Sequence, residues 1–243
     1  MTASPTRAHA HPAGVDLDHT AYAVHDALAW ARRLRSELGA VPVVGETLAE
    51  FRYLQLRVGD DEGGATLELL EPAGPGFLTR FLERHGEGPH HLTFTVPDLR
   101  EAVGRVRDLG LKVVGESYGD PVWQEAFVVP DSVHATVVQL AQTEGDLPDE
   151  PGWWAPAVDA PLGAPARLGA THLGSTDLAA TQRLFGDALG AGVEPTPDGL
   201  VLRWPSGSVV VRRSDRPGVT GMALAGGPPG GVAIGAARIG PVG

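Results

Sequence analysis

The chain has 243 residues, a formal net charge of −11, 42% hydrophobic and 20% charged residues, and no cysteine. Such a length and composition suit a globular protein of one or two domains. The acidic balance argues against nucleic acid or anionic membrane as a partner, and the lack of thiols excludes disulfides, zinc-thiolate centres and cysteine nucleophiles. Lys112 is the one lysine, so lysine Schiff-base chemistry is nearly excluded and basic contacts to a substrate fall to arginine. No run approaches the roughly 18 apolar residues that cross a bilayer, and Met1 to Gly14 lacks the apolar centre of a secretion signal. The expectation is a cytoplasmic protein.

Residues 1–14 are polar and predict a disordered tail, with His9 and His11 solvated rather than ligating. Leu17, His19, Ala21 and Ala23 then alternate with Asp18, Thr20 and Tyr22, the period of a strand. Asp26 is placed to cap a helix whose apolar face is Leu28, Ala31, Leu34 and Leu38, and Gly39 ends it. Strands are expected over 41–44, 50–58 and 65–70, with a polar turn at Asp60 to Gly64. Residues 73–89 lead from this first module to a second and include a short helix around Phe77, Leu78, Phe81 and Leu82.

The second module repeats the order. A strand over 91–96 leads to a helix capped by Asp98 and ended by Gly110, and strands are expected over 111–114, 125–129 and 135–140. Residues 143–165, rich in Pro, Gly, Asp and Glu, read as a linker, with Trp153 and Trp154 pinning it to a domain surface. A weaker third copy occupies 166–243: a strand at 170–175, a helix capped by Asp177, and strands over 200–204 and 208–212. Residues 221–243 carry no assignable pattern. The predicted fold is α+β, with paired βαβββ modules forming one cupped, mostly antiparallel sheet over 15–142 and a degenerate third module after the linker. Each copy of such a repeat must bury its open sheet against another. A lone third module would leave a face to cover, which suggests a homodimer.

Two strands carry the chemistry. Asp18-His19-Thr20-Ala21-Tyr22-Ala23-Val24 and His90-His91-Leu92-Thr93-Phe94-Thr95-Val96 each open with histidine, and roughly fifty residues later each module has an inward polar residue, Glu68 or Gln139. His19 and His91 are 72 positions apart, Glu68 and Gln139 are 71. A repeat that places His, Glu, His and Gln at equivalent points suggests a metal site between two half-sites. Glu68, flanked by Thr66, Leu67, Leu69 and Leu70, is otherwise a costly carboxylate in an apolar strand. His90 should face away from His91, because strand side chains alternate. The third copy has His172, but at the position of Glu68 it offers only Val210 or Val211, so His172 reads as structural.

The paired modules resemble the vicinal oxygen chelate superfamily. Leu17 to Val24, Leu67 to Pro72 and Phe81 to Leu92 look most like the methylmalonyl-CoA epimerases, with some likeness to glyoxalase I and hydroxyphenylpyruvate dioxygenase. The resemblance implies a divalent ion held by His19, Glu68, His91 and Gln139, the ion being Co, Ni, Mn, Fe or Zn. It also implies acid/base carboxylates. Glu50 matches a glutamate that opens the third strand of the epimerases' first module, Glu125 is its second-module counterpart, and Glu68 can join either. The epimerases have glutamine on the first fourth strand and glutamate on the second; this chain reverses them. The implied activity is isomerase, epimerase or lyase chemistry that removes a proton next to a chelated carbonyl of a small oxygenated or acyl-CoA substrate. The alternatives are an Fe(II) dioxygenase, and a metal-free drug-binding protein of the bleomycin-resistance kind.

Overall fold

The computed structural model describes residues 14–59, 65–120, 122–143 and 152–241. The expected tail up to residue 13, the turn at Asp60 to Gly64 and residues 144–151 of the expected linker lie outside the described residues.

The first half runs β1 (Asp16–Ala23), α1 (Ala27–Leu38), β2 (Val41–Thr47), β3 (Phe51–Val58), β4 (Ala65–Pro72), α2 (Phe77–His85), β5 (Gly88–Thr95), α3 (Leu99–Asp108), β6 (Val113–Ser117), β7 (Trp123–Val128) and β8 (Val137–Thr143). Capping follows the sequence signals. The Asp26 carboxylate accepts from Ala29 N–H and the Asp98 carboxylate from Glu101 N–H, satisfying first-turn donors that have no partner within the helix. Gly39 closes α1 with a left-handed φ of 69°. The buried face of α1 is Ala27, Ala31, Leu34 and Leu38, so the expected Leu28 sits one position off it.

These strands form one eight-stranded sheet in the order β2-β3-β4-β1-β5-β8-β7-β6. The two modules meet at the antiparallel β1–β5 pair, and within each module the first and last strands run parallel. The order therefore puts β4, β1, β5 and β8 side by side at the centre, and each of these strands carries one of the four matched polar residues.

The second half holds β9 (Arg167–Ser175), α4 (Leu178–Thr181) continuing as a π-helical stretch over Gln182–Ala188, β10 (Gly192–Thr196), β11 (Gly199–Arg203), β12 (Ser208–Arg213), β13 (Gly218–Ala225), β14 (Val232–Ile234) and β15 (Ala237–Pro241). Its sheet order, β10-β11-β12-β9-β13-β15-β14, follows that of the first sheet. The third module is complete, and β13, β14 and β15 stand where β5, β7 and β8 stand in the first sheet. Residues 221–243, which carried no pattern, supply most of this shortened fourth half. It was illegible because it lacks the helix that follows β5 and has strands of only three and five residues after β13.

The two sheets pack back to back with helices between them. One apolar cluster joins α3, β7 and β8 to the helix after β9 and to β11 and β12. The other joins α1, β3 and β4 to β13, β14 and β15. Behind β1 the sheets touch directly, and the buried hydroxyls of Thr20 and Thr171 hydrogen-bond at 2.8 Å. The face of the third module that was expected to remain open is thus covered within the chain, which removes the ground on which a dimer was expected. Trp154 is buried in the second cluster and Arg52 lies 4.3 Å over the Trp153 ring, so both tryptophans hold their segment to the first sheet. Among the described residues no helix is long and apolar enough to cross a membrane.

The other face of the first sheet is nearly free of helices. Among the described residues only α2 lies on it, its Leu78 and Leu82 packed on Ala21, Ala23 and Leu70. His19, Glu68 and Gln55 share this face.

Candidate metal centre

The register brings the polar residues together. On β1, His19 is level with Thr66 of β4 and Ala21 with Glu68; across the module boundary His19 is level with Thr93 and Ala21 with His91. His19, Glu68 and His91 each direct one donor atom into a space where all three lie within 4.8 Å of one another. His19 Nε2 is 3.4 Å and His91 Nε2 3.7 Å from Glu68 Oε2. All three residues are buried, at 3%, 6% and 5% exposure for His19, Glu68 and His91.

Surrounding groups fix the orientation of each donor. Asp18 Oδ1 binds His19 Nδ1 at 2.6 Å and turns Nε2 inward. A carboxylate on the far nitrogen is the usual support of a metal-ligating imidazole. Gln55 Nε2 donates to Glu68 Oε1 at 3.3 Å, leaving Oε2 to face the two histidines. Thr93, fully buried, accepts from His19 Nε2 at 2.9 Å and donates to Gln139 Oε1 at 2.7 Å. Gln139 Nε2 in turn donates to Glu125 Oε2 at 2.7 Å, an oxygen that also accepts from Trp123 Nε1. Gln139 is therefore at the centre, yet its amide is engaged by Thr93 and Glu125.

Burial alone would depress the His19 pKa, but the adjacent Glu68 charge and the Asp18 hydrogen bond overcome it and raise it to about 10. His91 is held well below the usual imidazole range by burial first, and then by His90 and His19. Burial lowers His90 to about 4. One neutral and one proton-hungry imidazole thus flank one carboxylate. His91 Nε2 is buried without a hydrogen-bond partner, and such a nitrogen aimed at a carboxylate fits a cation ligand. Two imidazoles and a carboxylate, with an amide in reserve and no thiol, suit a first-row divalent ion.

Two other residues lie away from where the sequence suggested. Glu50 is exposed; its backbone carbonyl accepts from Ala73 N–H, and its carboxylate lies against Gly76 at the start of α2 rather than in the cluster. Nor are Glu50 and Glu125 equivalent. Glu125 is level with Ala141, two residues beyond Gln139, and the matching first-module residue is Tyr53, level with Leu70, two beyond Glu68. Strand starts are the least certain points of an element, and the ladder register, not the distance from a strand start, sets which residues are equivalent.

His90 is also misplaced by simple alternation. It packs against Phe77 and Phe81 of α2 on the cluster face, and its Nδ1 lies 2.9 Å from Nδ1 of His91. Between Ala21 and Tyr22 on β1 the partner changes from His91 to Pro89, so β5 carries an extra residue, a β-bulge that turns His90 to its neighbour's side. Pro89, which cannot donate to a ladder, was the available signal. In the second sheet the same bulge recurs, with His172 level with Gly221 and Leu173 with Val219, so His172 stands where Ala21 stands and Val210, level with it, stands where Glu68 does. A valine there leaves no carboxylate to match Glu68.

A family model of the glyoxalase/bleomycin resistance protein/dioxygenase superfamily matches residues 18–127. An ethylmalonyl-CoA/methylmalonyl-CoA epimerase of Cereibacter sphaeroides is 31% identical over 134 residues, covering 52% of this chain and 96% of that protein. The chain belongs to this superfamily. Among solved structures, a Streptomyces coelicolor methylmalonyl-CoA epimerase variant in complex with 2-nitronate-propionyl-CoA is 26% identical with a TM-score of 0.48, covering 55% of this chain and 98% of that one. A 4-hydroxymandelate synthase variant from the same organism is 20% identical with a TM-score of 0.58, covering 87% of this chain and 71% of that one. This last likeness is one of fold and extends over both sheets.

Proposed function

We propose that this superfamily member is a metal-dependent enzyme that moves a proton next to a carbonyl of a small oxygenated or acyl-CoA substrate, in the manner of the epimerases. The observation that carries this reading is the buried His19–Glu68–His91 cluster on the open face of the first sheet. These three residues would hold the ion, and Gln139 would join them by giving up its bond from Thr93. A divalent ion at this position supplies Lewis acidity to a substrate oxygen.

The proton chemistry belongs to the chain. Glu125 is a carboxylate outside the ligand set, joined to it through Gln139. It is half-buried and aimed by Gln139 and Trp123, as a base must be if it is to meet one proton in one place. The base thus stands beside the second module's amide, on the module opposite the Glu68 ligand.

A second reading draws on the engagement of Gln139. With its amide held by Thr93 and Glu125, the donor set reduces to two imidazoles and one carboxylate, that of non-haem Fe(II) oxygenases. Metal analysis of the purified protein beside His19→Ala and His91→Ala tests the shared premise; equal metal content in all three would refute it. Incubation with ethylmalonyl-CoA or methylmalonyl-CoA in deuterium oxide then separates the readings. Exchange at the carbon next to the thioester, lost in Glu125→Gln, supports proton transfer. Oxygen uptake with Fe(II) and a 2-oxo acid, without exchange, supports the oxygenase.

A further inference from the structure

The β5 bulge places a second histidine against the ligand His91. We propose that His90 is a positioning residue, which fixes the tautomer and ring angle of His91 so that its Nε2 faces the cation. The inference rests on the metal-centre reading above and adds to it a residue outside the ligand set.

Adjacent strand residues ordinarily face opposite sides. Here the extra residue in β5 brings both rings to one side, their centroids 5.2 Å apart and their planes at 81°. The two Nδ1 atoms are 2.9 Å apart, so one donates and the other accepts. For His91 to ligate through Nε2 as a neutral imidazole, its proton must sit on Nδ1. It then donates to the His90 Nδ1 lone pair, and His90 carries its own proton on Nε2. His90 thus does for His91 what Asp18 does for His19, with a neutral acceptor in place of a charged one. The His90 ring is held by Phe77 at 5.6 Å and Phe81 at 4.8 Å, so α2 sets the angle from which it accepts.

The test is a Co(II) titration of the whole chain, read by visible absorption and by competition with a chelator. His90→Phe keeps an aromatic ring against α2 and removes the acceptor. His90→Asn returns an acceptor near the Nδ1 position, whereas His90→Gln places one further out. Losing such a support weakens metal binding by about 10–100-fold. H90F and H90Q should show that loss, with a changed cobalt band and near-native melting in EDTA, and H90N should recover most of the affinity. Wild-type affinity in H90F, or equal weakening in H90N and H90Q, overturns the inference. Should H90F fail to fold, H90N against H90Q decides alone. A wild-type protein that takes up no cobalt removes the metal-centre reading itself, a different outcome from wild-type uptake that H90F leaves unchanged.

Discussion

Replacing Glu68 by Gln keeps the shape of the side chain and removes the charge beside His19. In metal-free protein its effect should depend on pH in a definite direction. His19 titrates near 10 when folded against 6.5 for a free imidazole, so the folded state retains a proton that the unfolded chain has released. That stabilisation is complete below pH 6.5 and is lost as pH rises through 10. At about 1.4 kcal/mol per pH unit, the whole displacement corresponds to about 5 kcal/mol. Glu68 and Asp18 share it, and the Glu68 charge is the larger of the raising influences. Glu68→Gln should therefore cost about 3 kcal/mol near pH 6.5 and less than about 1 kcal/mol at pH 10.5. Urea unfolding in EDTA, followed by tryptophan fluorescence at intervals across that range, measures the difference. A cost that stays flat with pH would refute the argument, because Glu68 would then act through packing or its Gln55 bond and not through a charged His19.

Two further predictions concern the scaffold. Thr20→Val or Thr171→Val alone strands a buried hydroxyl between the sheets and should cost about 1–3 kcal/mol, whereas the double replacement should cost less than the sum; a double-mutant cycle in urea checks this. Gly235 has φ 60°, and a Cβ there would lie 1.6 Å from the Glu87 carbonyl oxygen. Gly235→Ala should lower stability by more than about 1 kcal/mol, measured as a fall in melting temperature.

Much of this architecture is legible in the chain because the signals are local. Asp26, Gly39 and Asp98 declare helix ends within a few residues, and His19 and Glu68 are conspicuous as polar groups in apolar alternation. What escaped depends on partners far away in sequence. Thr93 and Gln55 look like ordinary strand residues until the β1–β5 and β3–β4 registers set them beside His19 and Glu68. His90 needed the bulge, which exists only relative to β1. The equivalence of Glu125 with Tyr53 depends on which residues pair across strands. Counting from the nearest histidine or strand start does not give it.

The back-to-back seam has a consequence for how this chain can be divided. Residues 15–142 match the length of a free-standing relative and contain every proposed ligand, so they invite excision as a minimal catalyst. Yet α1 and α3 rest on strands from beyond residue 166, and Thr20, one residue from His19, shares a hydrogen bond with Thr171. Cut at the linker, the front half would present two apolar helices and an orphaned hydroxyl to water. The second half, which puts Val210 where Glu68 stands in the first, has become the foundation on which the first half's cluster rests, and the two must be inherited, expressed and engineered as one piece.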